Sequence, residues 1–130
     1  RVYEVDITPM ATVRMIHRGR ASNKYAFNYM QYKNTMKAHL RRQHAGDPLT
    51  GPLHIALTFK MTIPKSGKSQ NRKVKDGDYV TTKPDIDNMI KAVLDSANAI
   101  IFNDDNQVCM VSAVKVYGDV PGIRMEVREL

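Results

Sequence analysis

Residues 83–117, KPDIDNMIKAVLDSANAIIFNDDNQVCMVSAVKVY, carry a helix, a turn and a strand in one run. Ile86, Ile90, Val93 and Ala97 recur at helical spacing, and Met89 and Leu94 widen that apolar face. Asp87, Lys91, Asp95 and Asn98 line another face. Pro84 biases Lys83 away from helical angles and suits a first turn, so the helix is expected to start near Asp85. After Ile100, Ile101 and Phe102 comes the turn-like NDDN at 103–106. Val108–Tyr117 is apolar on both faces, which predicts a central strand.

Working outward, Gly118–Gly122 turns the chain, and Ile123, Met125 and Val127 alternate with Arg124, Glu126 and Arg128 in a last strand. Upstream, Leu53, Ile55, Leu57, Phe59 and Met61 alternate with His54, Ala56, Thr58 and Lys60. Ahead of that strand, Tyr25, Tyr29, Tyr32, Met36 and Leu40 repeat as the buried stripe of a helix over about 23–44. Its wet face carries Lys33, Lys37, Arg41 and Arg42, and Ser22 is a candidate cap. Val2–Ile7 reads as an opening strand that Pro9 ends. The order β-α-β-α-β-β predicts one α+β domain, with two helices packed on a small mixed or antiparallel sheet.

Two segments stay irregular in this reading. Residues 11–25, ATVRMIHRGRASNKY, are basic, with Arg14, Arg18, Arg20 and Lys24. Residues 64–83, PKSGKSQNRKVKDGDYVTTK, have almost no apolar content and hold Lys65, Lys68, Arg72, Lys73 and Lys75. They are expected to form a long mobile loop of one domain spanning 1–130; loops this long often carry function.

Composition narrows the function classes. The chain has 130 residues, is 42% hydrophobic, and carries a net charge of +7. No run of about 18 apolar residues occurs, so no membrane span is expected. The chain opens RVYEVDITP, already strand-like, so we expect no signal peptide and a cytoplasmic protein. A start at Arg1 rather than Met suggests a trimmed or partly ordered N-terminus. Cys109 is the only cysteine, so no internal disulfide forms, and its apolar neighbours predict a buried position.

Charge is unevenly spread. Residues 85–105 hold Asp85, Asp87, Asp95, Asp104 and Asp105 against Lys91, a net −4, so the remaining chain carries +11. Basic surface gathers phosphates, and clustered carboxylates gather divalent cations. The combination points to metal-dependent chemistry on nucleic acid. Asp85 and Asp87 would diverge inside a regular helix, but a bend at Pro84 lets both face one side. Asp104 or Asp105 is the candidate third carboxylate, and Lys91 lies one turn beyond Asp87. His17, His39, His44 and His54 lack zinc-ligand spacing, and no glycine-rich phosphate loop signals a nucleotide cofactor. A plainer account treats the same residues as a helix cap, an i,i+4 ion-pair ladder and a turn, within a non-catalytic nucleic acid-binding module.

The run KPDIDNMIKAVLD followed by IIFNDDNQV resembles the signature of the RusA family of Holliday junction resolvases, the crossover junction endodeoxyribonucleases. That signature is a D-x-D-N-x-x-K-x-x-x-D helix followed by D-D-x-x-V. TPMATVRMIHRGRASNKYAFNYMQYK is similar to the basic loop and first helix of family members, whereas the basic loop at 64–83 is longer than in compact members. The resemblance implies a RusA-like fold, and metal binding by Asp85, Asp87 and Asp105 with Asp104 in the same pocket. It implies an essential Lys91 and a supporting Asn88. It also implies a homodimer that cuts four-way DNA junctions with Mg²⁺, for which Mn²⁺ is expected to substitute, and a bacterial or phage origin. DNA contacts are expected from the basic residues of the two irregular segments; a less selective branched-DNA nuclease would share every motif.

Overall fold

The computed structural model describes residues 1–12 and 20–130, with side chains described for 1–12 and 24–130. Arg14, Arg18 and the side chain of Arg20, expected to contact DNA, lie outside the described residues.

Alternation in the sequence becomes a one-faced sheet. Strands β1 (Val2–Val5), β2 (Leu53–Thr62), β5 (Val108–Gly118) and β6 (Gly122–Glu129) form a four-stranded sheet in the order β1-β6-β2-β5. Between β2 and β5 come the two-residue strands β3 (Lys68–Ser69) and β4 (Arg72–Lys73), and helix α2 (Ile86–Ala97). Helix α1 (Arg20–Gln43) precedes β2. β1 and β2 each pair antiparallel with β6, while β2 and β5 run parallel from Leu53↔Val108 to Thr62↔Gly118. A parallel pair needs a crossover connection, and α2 lies in that connection. The sheet is therefore mixed and the domain α+β, as expected.

Leu53, Ile55, Leu57 and Phe59 of β2 are buried, together with Ile123, Met125 and Val127 of β6 and Tyr3 and Val5 of β1. Tyr32, Met36 and Leu40 of α1 and Met89, Ala92, Val93 and Ala97 of α2 complete the same core. Each large side chain removed from water here contributes on the order of 1.5–3 kcal/mol. Ile101 and Phe102, both fully buried, anchor the chain after α2. The hydrophilic turn that follows is thereby held at the surface beside the helix.

Several local expectations are corrected. β5 is an edge strand, not a central one: β2 takes one side, and only its C-terminal part is covered on the other, through the Tyr79↔Val116 bridge. Met110 and Val111 are exposed, and so is Cys109, although its apolar neighbours predict burial. Tyr25 is exposed as well, because the core stripe of α1 begins only at Tyr29 and Tyr32. Ser22 falls inside α1, which starts at Arg20, so it does not precede the helix as a cap.

The basic segment 64–83 contains regular structure despite its low apolar content. β3 and β4 pair antiparallel, Lys68 with Lys73 and Ser69 with Arg72, around Gln70 and Asn71 at φ 51° and 62°. Two consecutive left-handed residues match the twist of a tight hairpin. The chain then lies along the outer edge of β5: Gly77 N donates to Tyr117 O, Tyr117 N to Asp78 O, and Val80 N to Lys115 O. No helix among the described residues is long and apolar enough to cross a membrane.

Candidate active site

Asp85 occupies the N-cap of α2 with extended backbone angles, φ −69° and ψ 138°. A capping aspartate ordinarily accepts a hydrogen bond from an amide of the first turn. The Asp85 side chain makes no such bond. Its exposed carboxylate therefore stands at the positive end of the helix dipole, free of the structural duty that position usually imposes. Asp87 is exposed in the first turn. Ala11, Lys83, Pro84, Asp85 and Asn88 line an open groove of about 470 Å³ at this helix mouth.

Asn88 faces the N-terminal segment. Thr12 N donates to Asn88 O at 3.1 Å, and the Thr12 hydroxyl to Asn88 Oδ1 at 3.5 Å. The residue that the resemblance casts as a support for the carboxylates thus ties α2 to the segment leading into the first basic stretch.

Of the expected i,i+4 ladder only one rung meets. Lys91 Nζ lies 3.8 Å from Asp95 Oδ1, while no Asp87–Lys91 pair forms. The Lys91 side chain is 64% exposed, so the rung is weak and leaves the ammonium accessible.

Asp104 and Asp105 play different parts. Asp104 caps a 3₁₀ turn over Asp105–Gln107, accepting from Asn106 N at 3.1 Å. Gln107 completes the capping box: its Oε1 accepts from Asn103 N and Asp104 N, and its Nε2 donates to Leu49 O and Gly51 O. The Asn106 amide, followed by a hydrogen bond with Asp105, holds the Asp104 carboxyl below its ordinary range. Asp105 is pushed the other way, chiefly by its hydrogen bond with Asp104, then by burial and the negative charges of Asp104 and Asp95, with Lys91 opposing. The third candidate carboxylate therefore shares its surroundings with Asp95 and Lys91, at the α2 end of the turn.

By spacing alone Asp95 is a rung of the ladder. It also acts on Tyr29 of α1, whose hydroxyl is pushed up to about 12 by burial and then by the nearby Asp95 charge. The signal is in the sequence, since Asp95 ends the DxDNxxKxxxD run, but its electrostatic reach depends on how α1 and α2 pack.

Lys65, Lys68, Arg72, Lys73 and Lys75 are all exposed on or beside the β3–β4 hairpin, and Lys24 is exposed on α1. The two groups of cations lie on different elements, both of which precede the acidic helix in the chain.

Among the described residues, no three His, Cys, Asp or Glu side chains are gathered closely enough to hold a metal ion. The donor set nonetheless suits a hard cation. It consists of carboxylates, one of them at a cap without a capping bond, and Asp105 is crowded by like charge that a divalent ion would relieve. Mg²⁺ retains several waters, so two or three exposed aspartates with an open side satisfy it.

An acidic helix mouth on an otherwise basic α+β domain fits proteins that cut nucleic acid backbones, and the family comparison gives that class a name. The family described as Endodeoxyribonuclease RusA matches residues 6–128, and the chain belongs to it. The chain is also similar to the uncharacterized protein YqaN of Bacillus subtilis (strain 168), 30% identical over 118 residues. That similarity covers 87% of this chain and 78% of YqaN.

Proposed function

We propose that the chain is a Mg²⁺-dependent, structure-specific endodeoxyribonuclease that resolves four-way DNA junctions by paired phosphodiester hydrolysis. The observation carrying this reading is the Asp85 carboxylate, placed at the cap of α2 yet making no capping bond, beside an open groove. Asp85, Asp87 and Asp105 would hold the ion. When bound, Mg²⁺ supplies positive charge to a phosphate oxygen and makes water more acidic. Asp104 sets the turn that presents Asp105. Lys91, exposed and only loosely paired with Asp95, offsets charge that grows on the phosphoryl oxygens in the transition state. The basic hairpin and the first basic segment draw the DNA backbone onto this face through counterion release.

Junctions have two-fold symmetry, and a homodimer presents two sites to them. β5 offers the surface for a second copy. Between Val108 and Val114 it has no charged residue and no partner strand on its outer edge among the described residues, and Met110 is 52% exposed. Such an edge invites antiparallel pairing with itself.

The deciding experiment compares cleavage of a four-way junction with cleavage of a matched linear duplex, in Mg²⁺ and in EDTA. Paired nicks of the junction alone, abolished by EDTA, are expected. Cutting of flaps or forks at the same rate would broaden the assignment to branched DNA. Absence of any Mg²⁺-dependent cleavage would leave a binding module.

A further inference from the structure

The chain between the basic hairpin and α2 is fastened to β5 by backbone hydrogen bonds only as far as Val80, whose N–H donates to Lys115 O. Beyond that point it leaves the sheet edge to reach Asp85. Here the Lys115 side chain takes over: Nζ donates to Thr82 O at 2.7 Å and to Pro84 O at 2.8 Å. The Lys115 side chain makes no salt bridge among the described residues. An ammonium is suited to this task, because its three donors radiate from one atom on a flexible stem.

The second of these bonds bears on the site. The Pro84 carbonyl and the Asp85 amide belong to one rigid peptide plane. Fixing that oxygen fixes the plane from which the Asp85 Cα and side chain depart. Asp85 has no capping bond of its own to orient it. We propose that Lys115 is a positioning residue for the metal site, its ammonium holding the Pro84–Asp85 peptide so that the Asp85 carboxylate faces the ion. The inference rests on the metal-site reading above and adds to it a residue outside the acidic motif, 30 positions beyond Asp85 in the chain. Lys115 touches neither substrate nor ion. It acts through Asp85 alone.

After loss of the ammonium the segment remains fastened through Gly77, Val80 and Tyr117. Lys115→Met should therefore fold. The test is Mn²⁺ binding, followed by loss of the free-ion paramagnetic resonance signal without DNA. Wild type, Lys115→Met and Asp85→Asn are compared, with circular dichroism as the folding control. Lys115→Met is expected to weaken Mn²⁺ binding about tenfold, as loss of a partner that orients a ligand does. Junction binding in EDTA should stay at the wild-type level.

A rescue separates positioning from packing. In a Cys109→Ser background, which removes the exposed native thiol, Lys115→Cys is alkylated with 2-bromoethylamine. The thiolate sulfur displaces bromide, giving a side chain that again ends in an ammonium. Mn²⁺ affinity should recover on alkylation. Wild-type Mn²⁺ affinity in folded Lys115→Met, or in the unalkylated Cys variant, would overturn the proposal while leaving the metal site standing. If Lys115→Met does not fold, Lys115→Gln, with its shorter neutral amide, decides by the same criterion. A wild-type protein that neither binds Mn²⁺ nor cuts DNA would overturn the metal-site reading and this inference together.

Discussion

Asp104 and Asp105 are adjacent, yet their acidities move apart: Asp104 is held below the ordinary carboxylate value of 3.8 and Asp105 above it. The Asn106 amide stabilises the charged form of the first, while the proximity of Asp104, partial burial and like-charge repulsion oppose the charged form of the second. One aspartate builds the turn and the other remains available to a ligand.

This asymmetry sets a pH dependence. Asp104 raises the Asp105 pKa, so Asp104→Asn lets Asp105 ionise at lower pH. Because the ion needs the carboxylate, Mn²⁺ binding should then persist to lower pH than in wild type. Lys91 pulls the same pKa down, so Lys91→Met should move the acid limb of Mn²⁺ binding to higher pH. Binding isotherms across the carboxylate range, around pH 4, read both shifts. An acid limb that stays in place in both variants would remove Asp105 from the ion's ligands.

Asp85→Asn and Asp87→Asn should each reduce cleavage on the order of 10³-fold while keeping or tightening junction binding, since a negative charge near DNA is removed. Asp104→Ala should keep most of the cleavage rate and lower the Tm, because its carboxylate serves the turn. Single-turnover cleavage and gel-shift titrations, run side by side, separate these roles. Loss of binding in step with loss of cutting at Asp85 would contradict the assignment.

The basic hairpin should report itself through salt. Replacing Lys68, Arg72 and Lys73 by Gln should reduce the slope of log K against log salt by about 0.9 for each phosphate no longer neutralised. An unchanged slope would put the DNA on another surface.

Val111→Lys places a charge in the exposed part of the β5 edge, where two such lysines would oppose one another in a symmetric pair. The variant should sediment as a monomer with an unchanged circular dichroism spectrum. It should nick one strand of a junction instead of two.

Tyr29 links the helices to alkaline stability. Its pKa lies raised at about 12 against an ordinary 10.0, so the folded state holds a proton that the unfolded chain releases first. The resulting stability is complete below pH 10 and declines as pH rises toward 12. Tyr29→Phe should flatten the fall of Tm across that window.

Much of this protein is legible directly in residue order. Period-two alternation in Leu53–Met61 and Ile123–Val127, and helical recurrence from Ile86 to Ala97, state which side of each element is apolar, and burial follows from that. The DxDNxxKxxxD run and the NDD turn name the acidic residues because the family signature is local. β5 reads as a central strand for a physical reason: an apolar edge strand has the same composition as a strand already covered on both sides. The hairpin at 68–73 leaves no mark in the apolar pattern because backbone geometry at Gln70 and Asn71, not apolar content, makes it.

The chain's linear order thus determined the elements, their inward faces and the identity of the acidic residues, since each depends on neighbours within one or two turns. Only tertiary structure decided which carboxylates are occupied and which are free. Asp104 is engaged by Asn106, whereas Asp85 makes no capping bond; Asp95 comes within reach of Tyr29; and Lys115 grips the peptide that leads into Asp85. Electrostatic and hydrogen-bond partners are set by distance in space, and folding brings together residues far apart in the chain.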